Sequence, residues 1–140
     1  MDQTIKEAII RAVKEEPFVQ LMGIELKTLD KGFSVVEMTY DPSKMDNLFG
    51  RAHGGAIFAL IDEAFETAGQ TDGTVAVAIN VNVSYVASPE AGKRLRAEAR
   101  ELNQTKRTAM YDIRVTDGDG RLIATCQALA FRTGKPLPFV

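Results

Sequence analysis

Residues 47–70 read NLFGRAHGGAIFALIDEAFETAGQ, and the rest of the chain is arranged around them. Beyond the pair Gly54–Gly55, apolar side chains occupy nearly every face of a helical projection. A helix on a protein surface has one apolar stripe, so a helix that is apolar all round must be covered. The flanking sequence offers mainly strand-like segments for this purpose. The sequence therefore predicts a central helix at residues 53–69, wrapped by an antiparallel sheet.

The remaining elements follow from hydrophobic periodicity and from turn residues. An N-terminal helix is predicted over residues 1–16, with Thr4 as its cap and Glu7 at the capping-box position. The predicted strands are residues 24–29, 33–40, 75–86, 95–102, 107–116 and 122–132. Because no linker or repeat interrupts this order, the sequence predicts a single α+β domain over residues 1–140.

Composition and charge exclude several classes of protein. The chain has 45% hydrophobic and 26% charged residues, which is typical of soluble globular proteins. Its net charge of −2 argues against a nucleic-acid-binding surface. No apolar run reaches membrane-spanning length, and the N-terminus lacks the pattern of a signal peptide. We therefore expect a cytoplasmic protein with neither a nucleic-acid partner nor a membrane partner.

Motifs for cofactors and metals are missing from the sequence. There is neither a phosphate-binding glycine loop nor a dinucleotide-binding fingerprint. His53 is the only histidine, so no histidine pair exists for a zinc site. Cys126 is the only cysteine, so no internal disulfide can form. We expect no cofactor and no metal.

Residues 47–55 follow the pattern Asn-x-x-Gly-x-x-His-Gly-Gly, and Asp62 comes seven residues after the second glycine of the pair. With the element order and the chain length, this run resembles the hotdog-fold acyl-CoA thioesterases, most closely the phenylacetyl-CoA thioesterase (PaaI-like) branch. The similarity extends over residues 23–132. It implies a hotdog fold, in which an antiparallel sheet wraps a long helix. It also implies hydrolysis of acyl-CoA or aryl-acyl-CoA thioesters to a free acid and coenzyme A.

Gly54 and Gly55 suit this chemistry because they stand where a loop enters a helix. Their backbone N–H groups are among the donors that the first turn of a helix leaves without partners. Without side chains, they allow a carbonyl oxygen to approach, and the positive end of the helix dipole favours an oxyanion there. We expect Gly55 N–H to polarise the thioester and Gly54 to contact the substrate. The alternative is that both glycines only permit a sharp turn or close packing.

Asp62 falls on the position of the family's carboxylate, and we expect it to act as general base or nucleophile. A buried carboxylate that is satisfied by neighbouring donors is the alternative. Two further acids lie in the same helix. Glu66, one turn later, could raise the pKa of Asp62 by repulsion, and the alternative is that it lies toward a rim or pairs with a basic residue. Glu63 points about 100° away and is expected to be structural.

The spacing of Gly55 and Asp62 has a consequence for assembly. Seven helical residues place both on nearly the same face but ~10 Å apart along the axis, so one carbonyl cannot lie beside both in one chain. A two-fold dimer with antiparallel central helices would bring Asp62 of one chain to Gly55 of the other. We therefore expect a homodimer, or a dimer of dimers, whose active sites are shared between chains.

Other polar residues are assigned supporting roles. The resemblance implies that His53 orders the loop or polarises the thioester, and proton transfer is the alternative. Asn47 could position the attacking water or the substrate, or could be an ordinary turn residue. Some relatives place a hydroxyl residue on the strand after the helix to hold the water. That position here is Ala78, which leaves Asn80 or Thr74 as substitutes.

Substrate contacts are harder to assign. The phosphates of coenzyme A call for basic residues, and the candidates flank two adjoining predicted strand starts: Lys93 and Arg94, with Lys106 and Arg107. The alternative, which the charge pattern favours, is that each is a solvated surface charge. An acyl pocket of aromatic character is expected from Phe18, Phe49, Phe58 and Phe65, without revealing the acyl group.

Two other functions remain open. A hotdog hydratase or dehydratase would need a histidine–carboxylate dyad, which a single histidine inside His-Gly-Gly supplies poorly. A non-catalytic acyl-CoA-binding module could use the same architecture without hydrolysis. Release of free thiol separates a thioesterase from both alternatives.

Overall fold

The structure is a computed structural model that describes residues 1–140. It contains four helices and six strands. The helices are α1 (Gln3–Glu15), α2 (Pro17–Met22), α3 (Pro42–Met45) and α4 (Gly54–Gly69), and the strands are β1 (Glu25–Asp30), β2 (Phe33–Thr39), β3 (Thr74–Tyr85), β4 (Arg94–Gln104), β5 (Thr108–Asp117) and β6 (Leu122–Pro136). None of the helices combines the length and the apolar character needed to cross a membrane.

All six strands form one antiparallel sheet in the order β1-β2-β4-β5-β6-β3. Helix α4 lies in the concave face and contacts every strand. The predicted α+β architecture, an antiparallel sheet around a central helix, is therefore confirmed. Since β1 and β3 each pair on one side only, they form the two edges of the sheet.

The core between α4 and the sheet combines large helix side chains with small strand side chains. Leu60 and Ile61 of α4 are fully buried. The ring of Phe65 meets the ring of Tyr111 edge-on at 5.3 Å between centroids, an arrangement worth ~0.5–1.5 kcal/mol beyond its area. Opposite the helix, the inner face of the sheet carries buried alanines: Ala97, Ala99, Ala109, Ala124, Ala128 and Ala130. The small side chains leave room for the helix to lie deep in the sheet.

The start of α1 differs from the sequence prediction. Asp2, not Thr4, is the N-cap, and its carboxylate accepts a hydrogen bond from Ile5 N–H at 3.1 Å. Thr4 lies inside the helix, and Glu7 instead accepts from the side chain of Gln3 at 2.8 Å. The predicted capping box was wrong because an aspartate two residues earlier caps the same turn and adds negative charge at the helix N-terminus.

The outer face of the sheet, turned away from α4, is covered by paired charges. Along β4 the outward positions alternate with buried ones, and their side chains pair with each other and with neighbouring strands. The pairs include Arg94–Glu37 at 3.2 Å, Arg96–Glu98 at 3.2 Å, Arg100–Glu98 at 2.6 Å and Arg114–Asp112 at 3.3 Å. This side of the sheet therefore faces water.

The edge strand β3 has a different character. It is twelve residues long and is paired only with β6. Val77 and Ile79 are 46% and 55% exposed. A long apolar edge with unpaired backbone groups is a surface that proteins normally cover.

Candidate active site

His53 caps the N-terminus of α4. Its backbone is extended, and its Nδ1 accepts a hydrogen bond from Gly55 N–H at 2.8 Å, the role that Ser or Asp usually plays. Because Nδ1 is the acceptor, the neutral ring carries its proton on Nε2. The imidazole is exposed, so this second nitrogen can meet a ligand. The Gly55 N–H, expected to be free for a thioester oxygen, is thus bonded to His53.

A side chain at either glycine of the pair would crowd a neighbouring aromatic ring. A Cβ on Gly55 would lie 2.9 Å from His53 Nδ1, which is too short for an ordinary contact. A Cβ on Gly54 would lie 3.2 Å from the ring of Tyr85, whose hydroxyl donates to the Gly54 carbonyl at 3.1 Å. Gly54 N–H forms no hydrogen bond within the chain, so it is the free donor of this turn.

Tyr85 was not recognised as a site residue from the sequence. It lies at the end of β3, 31 positions from Gly54, and no local pattern connects the two. Only the antiparallel packing of β3 beside α4 brings the phenol to the helix N-terminus.

Asp62 lies two turns further along α4 and is half-buried. Its carboxylate has no hydrogen bond or ion pair within the chain, and burial raises the pKa of Asp62 above its usual range. No donor of the chain therefore bonds to the Asp62 carboxylate, contrary to the alternative of a carboxylate satisfied by its neighbours. A half-buried acid with a raised pKa and no partner in the chain is a candidate for chemistry.

A cavity of about 240 Å³ adjoins Asp62, between α4 and the first half of β3. Glu66 is the other acid on its wall, and Ala78 lies opposite on β3. Gln70 also lines the cavity, but its amide is occupied by the backbone of Ala76, at 2.9 and 3.0 Å. The cavity thus offers an unpaired carboxylate in a largely apolar setting.

No hydroxyl side chain lines this cavity. Ala78 occupies the strand position that the resemblance assigns to a hydroxyl residue. Asn80 lies beyond a bulge in β3 and is exposed, and Thr74 stands at the start of the strand, where neither lines the cavity. A water beside Asp62 would have to be held by the carboxylates themselves or by groups from outside this chain.

Asn47 organises the loop before α4. Its Oδ1 accepts hydrogen bonds from Phe49 N–H at 2.9 Å and Arg51 N–H at 3.2 Å. Gly50 adopts a left-handed conformation, φ 66°, to complete the turn. The carbonyl oxygen of the Asn47 side chain is therefore used by the loop, as the turn alternative predicts, and only its amide NH₂ is free for a ligand.

Residues 49–124, more than half of the chain, match the family model described as the Thioesterase superfamily. The chain belongs to the thioesterase superfamily.

Similar proteins place this member of the thioesterase superfamily near PaaI. The acyl-coenzyme A thioesterase PaaI of Escherichia coli is 34% identical over 113 residues, 81% of this chain and 80% of that protein. The proofreading thioesterase EntH of Klebsiella pneumoniae is 30% identical over 123 residues, 86% of this chain and 88% of that protein. The solved E. coli PaaI structure superposes with a TM-score of 0.89 at 29% identity, covering 94% and 95% of the two chains. The resemblance to the PaaI-like branch and the hotdog fold is confirmed.

In this thioesterase-superfamily chain, the basic residues predicted to bind coenzyme A do not form one group. Lys93 is paired with Asp119 at 2.7 Å, and Arg94 with Glu25 at 2.8 Å. Arg107 forms no ion pair, but it precedes β5 at the other end of β4. Because β4 and β5 are antiparallel, their starts lie at opposite ends of the sheet, which the sequence analysis overlooked.

Two arginines that the sequence analysis missed lie nearer the helix N-terminus. Arg51 and Arg121 form no ion pair within the chain. Both line a cavity of about 590 Å³ beside the loop that leads into α4, together with Phe49 and Pro89. They are 70 positions apart in the chain, so no spacing pattern indicates their proximity.

The four aromatic residues expected to line one acyl pocket are dispersed within the chain. Phe65 lines the Asp62 cavity, whereas Phe49 lines the cavity of Arg51 and Arg121 and is 83% exposed. Phe58 projects from α4 with 36% exposure, and Phe18 lies in α2 with 50% exposure. A single chain therefore does not enclose an aromatic acyl pocket.

Proposed function

We propose that this protein hydrolyses acyl-CoA thioesters to a free acid and coenzyme A. The observation that carries the proposal is the unpaired, half-buried carboxylate of Asp62 on the apolar helix α4. Family membership supports it, since E. coli PaaI and K. pneumoniae EntH are named as thioesterases. A structurally similar protein from Streptococcus mutans, 26% identical with a TM-score of 0.76, was solved bound to acetyl CoA.

In the proposed reaction, Asp62 either takes a proton from the water that attacks the thioester carbon, or attacks that carbon itself to form a mixed anhydride that water then hydrolyses. In both routes the C–S bond breaks, and the thiolate of coenzyme A leaves and takes up the proton that water loses. During the attack, charge develops on the thioester oxygen at the N-terminus of α4, where the helix dipole favours it. Gly54 N–H is free to donate to that oxygen. Gly55 N–H can join it only if His53 Nδ1 gives up its hydrogen bond. The amide NH₂ of Asn47 faces no competing partner in the loop.

We further propose that the active unit is a homodimer or a dimer of dimers, with each site built from two chains. The ~10 Å axial separation of Gly55 and Asp62 keeps one chain from supplying both to one carbonyl. The apolar edge of β3 borders the Asp62 cavity, so pairing two β3 strands would join the sheets beside that carboxylate. A second chain would also enclose the dispersed aromatic side chains. The cytoplasmic location stays a prediction from the sequence.

Thiol release from a panel of acyl-CoA and aryl-CoA esters tests the activity. Steady release of coenzyme A with at least one ester supports the proposal. A change in enoyl absorbance without thiol release would instead identify a hydratase. Tight binding of the esters with no turnover would identify a binding module.

Replacement of His53 tests its assignment as an orienting residue. His53→Ala is expected to lower the free energy of unfolding by about 1 kcal/mol through loss of the helix cap. It is also expected to reduce turnover less than Asp62→Asn does. His53→Ser retains a capping oxygen, so its stability and turnover are expected to recover towards wild type. If His53→Ser folds normally yet is more damaged than Asp62→Asn, the histidine transfers a proton and the two roles are reversed.

Charge removal at Arg51 and Arg121 tests how coenzyme A is bound. We propose that these two side chains contact its phosphates, since both lack an ion pair and share one cavity. Arg51→Gln and Arg121→Gln are each expected to raise KM for an acyl-CoA about tenfold, with kcat little changed. A short thioester without the nucleotide is expected to show no such difference.

Two comparison variants complete this experiment. Arg114→Gln, on the outer face of the sheet, removes the same charge far from the cavity and is expected to keep the wild-type KM. Arg107→Gln tests the assignment made from the sequence. A KM increase confined to Arg107→Gln would contradict the assignment to Arg51 and Arg121.

A further inference from the structure

Three glutamates from separate parts of the fold converge beside α4, and one of them, Glu66, also lines the Asp62 cavity. Glu16 lies between α1 and α2, where the backbone is extended. Glu63 and Glu66 are three positions apart on α4 and therefore share a face. One carboxylate oxygen from each of the three lies within 4.8 Å of the other two. We call these three residues the carboxylate cluster.

The carboxylate cluster has no counter-charge within the chain. Burial and repulsion from neighbouring acids raise the pKa of all three groups, and no basic side chain opposes the effect. The charged groups that act on Glu63 are Glu16 from the α1–α2 junction and Glu66 and Asp62 from α4 itself. Three negative charges at this separation are unfavourable unless a cation or a proton neutralises them.

Glu63 is the member that points to a ligand. It is only 4% exposed, and its Oε1 is fully buried with no hydrogen-bond partner. It is the one such side-chain atom in the protein. Other polar side chains nearby are satisfied: Thr67 and Ser34, both buried, share a hydrogen bond of 2.7 Å. A buried acceptor that is left unpaired among satisfied neighbours needs an explanation.

The space in front of the cluster suits a small hydrated ion. A cavity of about 480 Å³ opens between α1 and α4, and all three cluster residues line it. Carboxylate oxygens are the ligands that hard divalent cations prefer, and such ions often keep several waters. We propose that the carboxylate cluster binds a hard divalent cation of the Mg²⁺, Ca²⁺ or Mn²⁺ class, which ties the N-terminal helices to α4.

The absence of metal motifs in the sequence does not conflict with this proposal. The sequence lacks a histidine pair for zinc, whereas a hard-cation site needs only oxygen ligands. Glu16 is 47 positions from Glu63, so their proximity arises only from the packing of the α1–α2 junction against α4. Of the three cluster residues only Glu66 also lines the Asp62 cavity, and neither Glu16 nor Glu63 does.

Cation binding is measured directly on the whole protein after dialysis against a chelator, without any thioester. Mn²⁺ titration followed by electron paramagnetic resonance is expected to show one saturable site per chain, with Mg²⁺ or Ca²⁺ in competition. The cation is also expected to raise the melting temperature, because it binds the folded state only.

The variants assign the ion to the cluster. Glu63→Gln keeps the shape of the side chain and removes one ligand charge, and it is expected to weaken Mn²⁺ binding at least about tenfold. Glu16→Gln is expected to do the same, and it covers the case in which Glu63→Gln does not fold. Glu15→Gln is the matched control, because Glu15 borders the same cavity without belonging to the cluster.

Two results would overturn the proposal. One is the absence of saturable Mn²⁺, Mg²⁺ or Ca²⁺ binding at millimolar concentrations, which would mean that a proton or a basic group of another chain neutralises the cluster. The other is unchanged affinity in both Glu63→Gln and Glu16→Gln, which would place the ion elsewhere. Neither result bears on thioester hydrolysis, so the two proposals fail separately.

Discussion

Replacing Asp62 by asparagine is expected to reduce kcat/KM for acyl-CoA thioesters about a hundredfold or more while the protein stays folded. Asparagine has nearly the same shape but can neither take a proton from water nor attack the thioester. In the folded chain the Asp62 carboxylate makes no hydrogen bond or ion pair that the substitution would break. The melting temperature is therefore expected to stay close to wild type, because the substitution leaves no hydrogen-bonding group without its partner.

The measurement pairs thiol release with thermal unfolding on the same preparation. Asp112→Asn is the matched control, since it makes the same chemical change on the outer face of the sheet. Its turnover is expected to equal wild type. Wild-type turnover in folded Asp62→Asn protein would show that Asp62 takes no part in the reaction. Another residue would then have to act as the base.

Mixing two inactive variants is expected to restore activity if the sites are shared. Asp62→Asn removes the carboxylate, and Gly55→Val places a side chain where a Cβ would already lie 2.9 Å from His53 Nδ1. Each variant alone is expected to be nearly inactive. In a mixed dimer one site receives both defects and the other receives neither, so up to roughly half of the sites in that species recover.

This experiment depends on subunit exchange, which mass-tagged chains make visible. Recovered thiol release is expected to follow the fraction of mixed dimers, and sedimentation is expected to show no active monomer. Two Asp62→Asn preparations carrying different tags are the control, because their exchange creates no intact site. Verified exchange without recovery, or a fully active monomer, would contradict the shared site and require another route from Asp62 to the carbonyl.

Much of the architecture could be predicted because it depends on local pattern. Because α4 is apolar on nearly every face, it was predicted to be buried. The segments with alternating apolar residues after it were predicted to be the strands that bury it. The position of the His-Gly-Gly run at a helix N-terminus followed from the same pattern. The helix cap at Asp2 was missed because both Asp2 and Thr4 are residue types that commonly cap a helix N-terminus. Only the backbone conformation shows that the helix begins after Asp2.

Contacts between distant parts of the chain could not be predicted in this way. Tyr85 reaches Gly54 only because β3 returns beside the helix N-terminus. The expectation that the strand starts next to Lys93, Arg94 and Arg107 adjoin was wrong, because adjacent antiparallel strands start at opposite ends of a sheet. The role of these residues in binding coenzyme A stays a prediction. The histidine cap on Gly55 N–H was also unforeseen, since few helices use histidine there.

The paired charges on the outer face of the sheet affect how molecules behave in concentrated solution. Exposed ion pairs of this kind contribute only ~0–1 kcal/mol each to folding, so stability does not explain the arrangement. Two molecules that met face to face there would have to dehydrate Arg96, Glu98 and Arg100, none of which lacks a partner. Contacts between two outer faces are therefore expected to be unfavourable. At high concentration, copies of the chain are expected to associate through the β3 edge rather than through these faces.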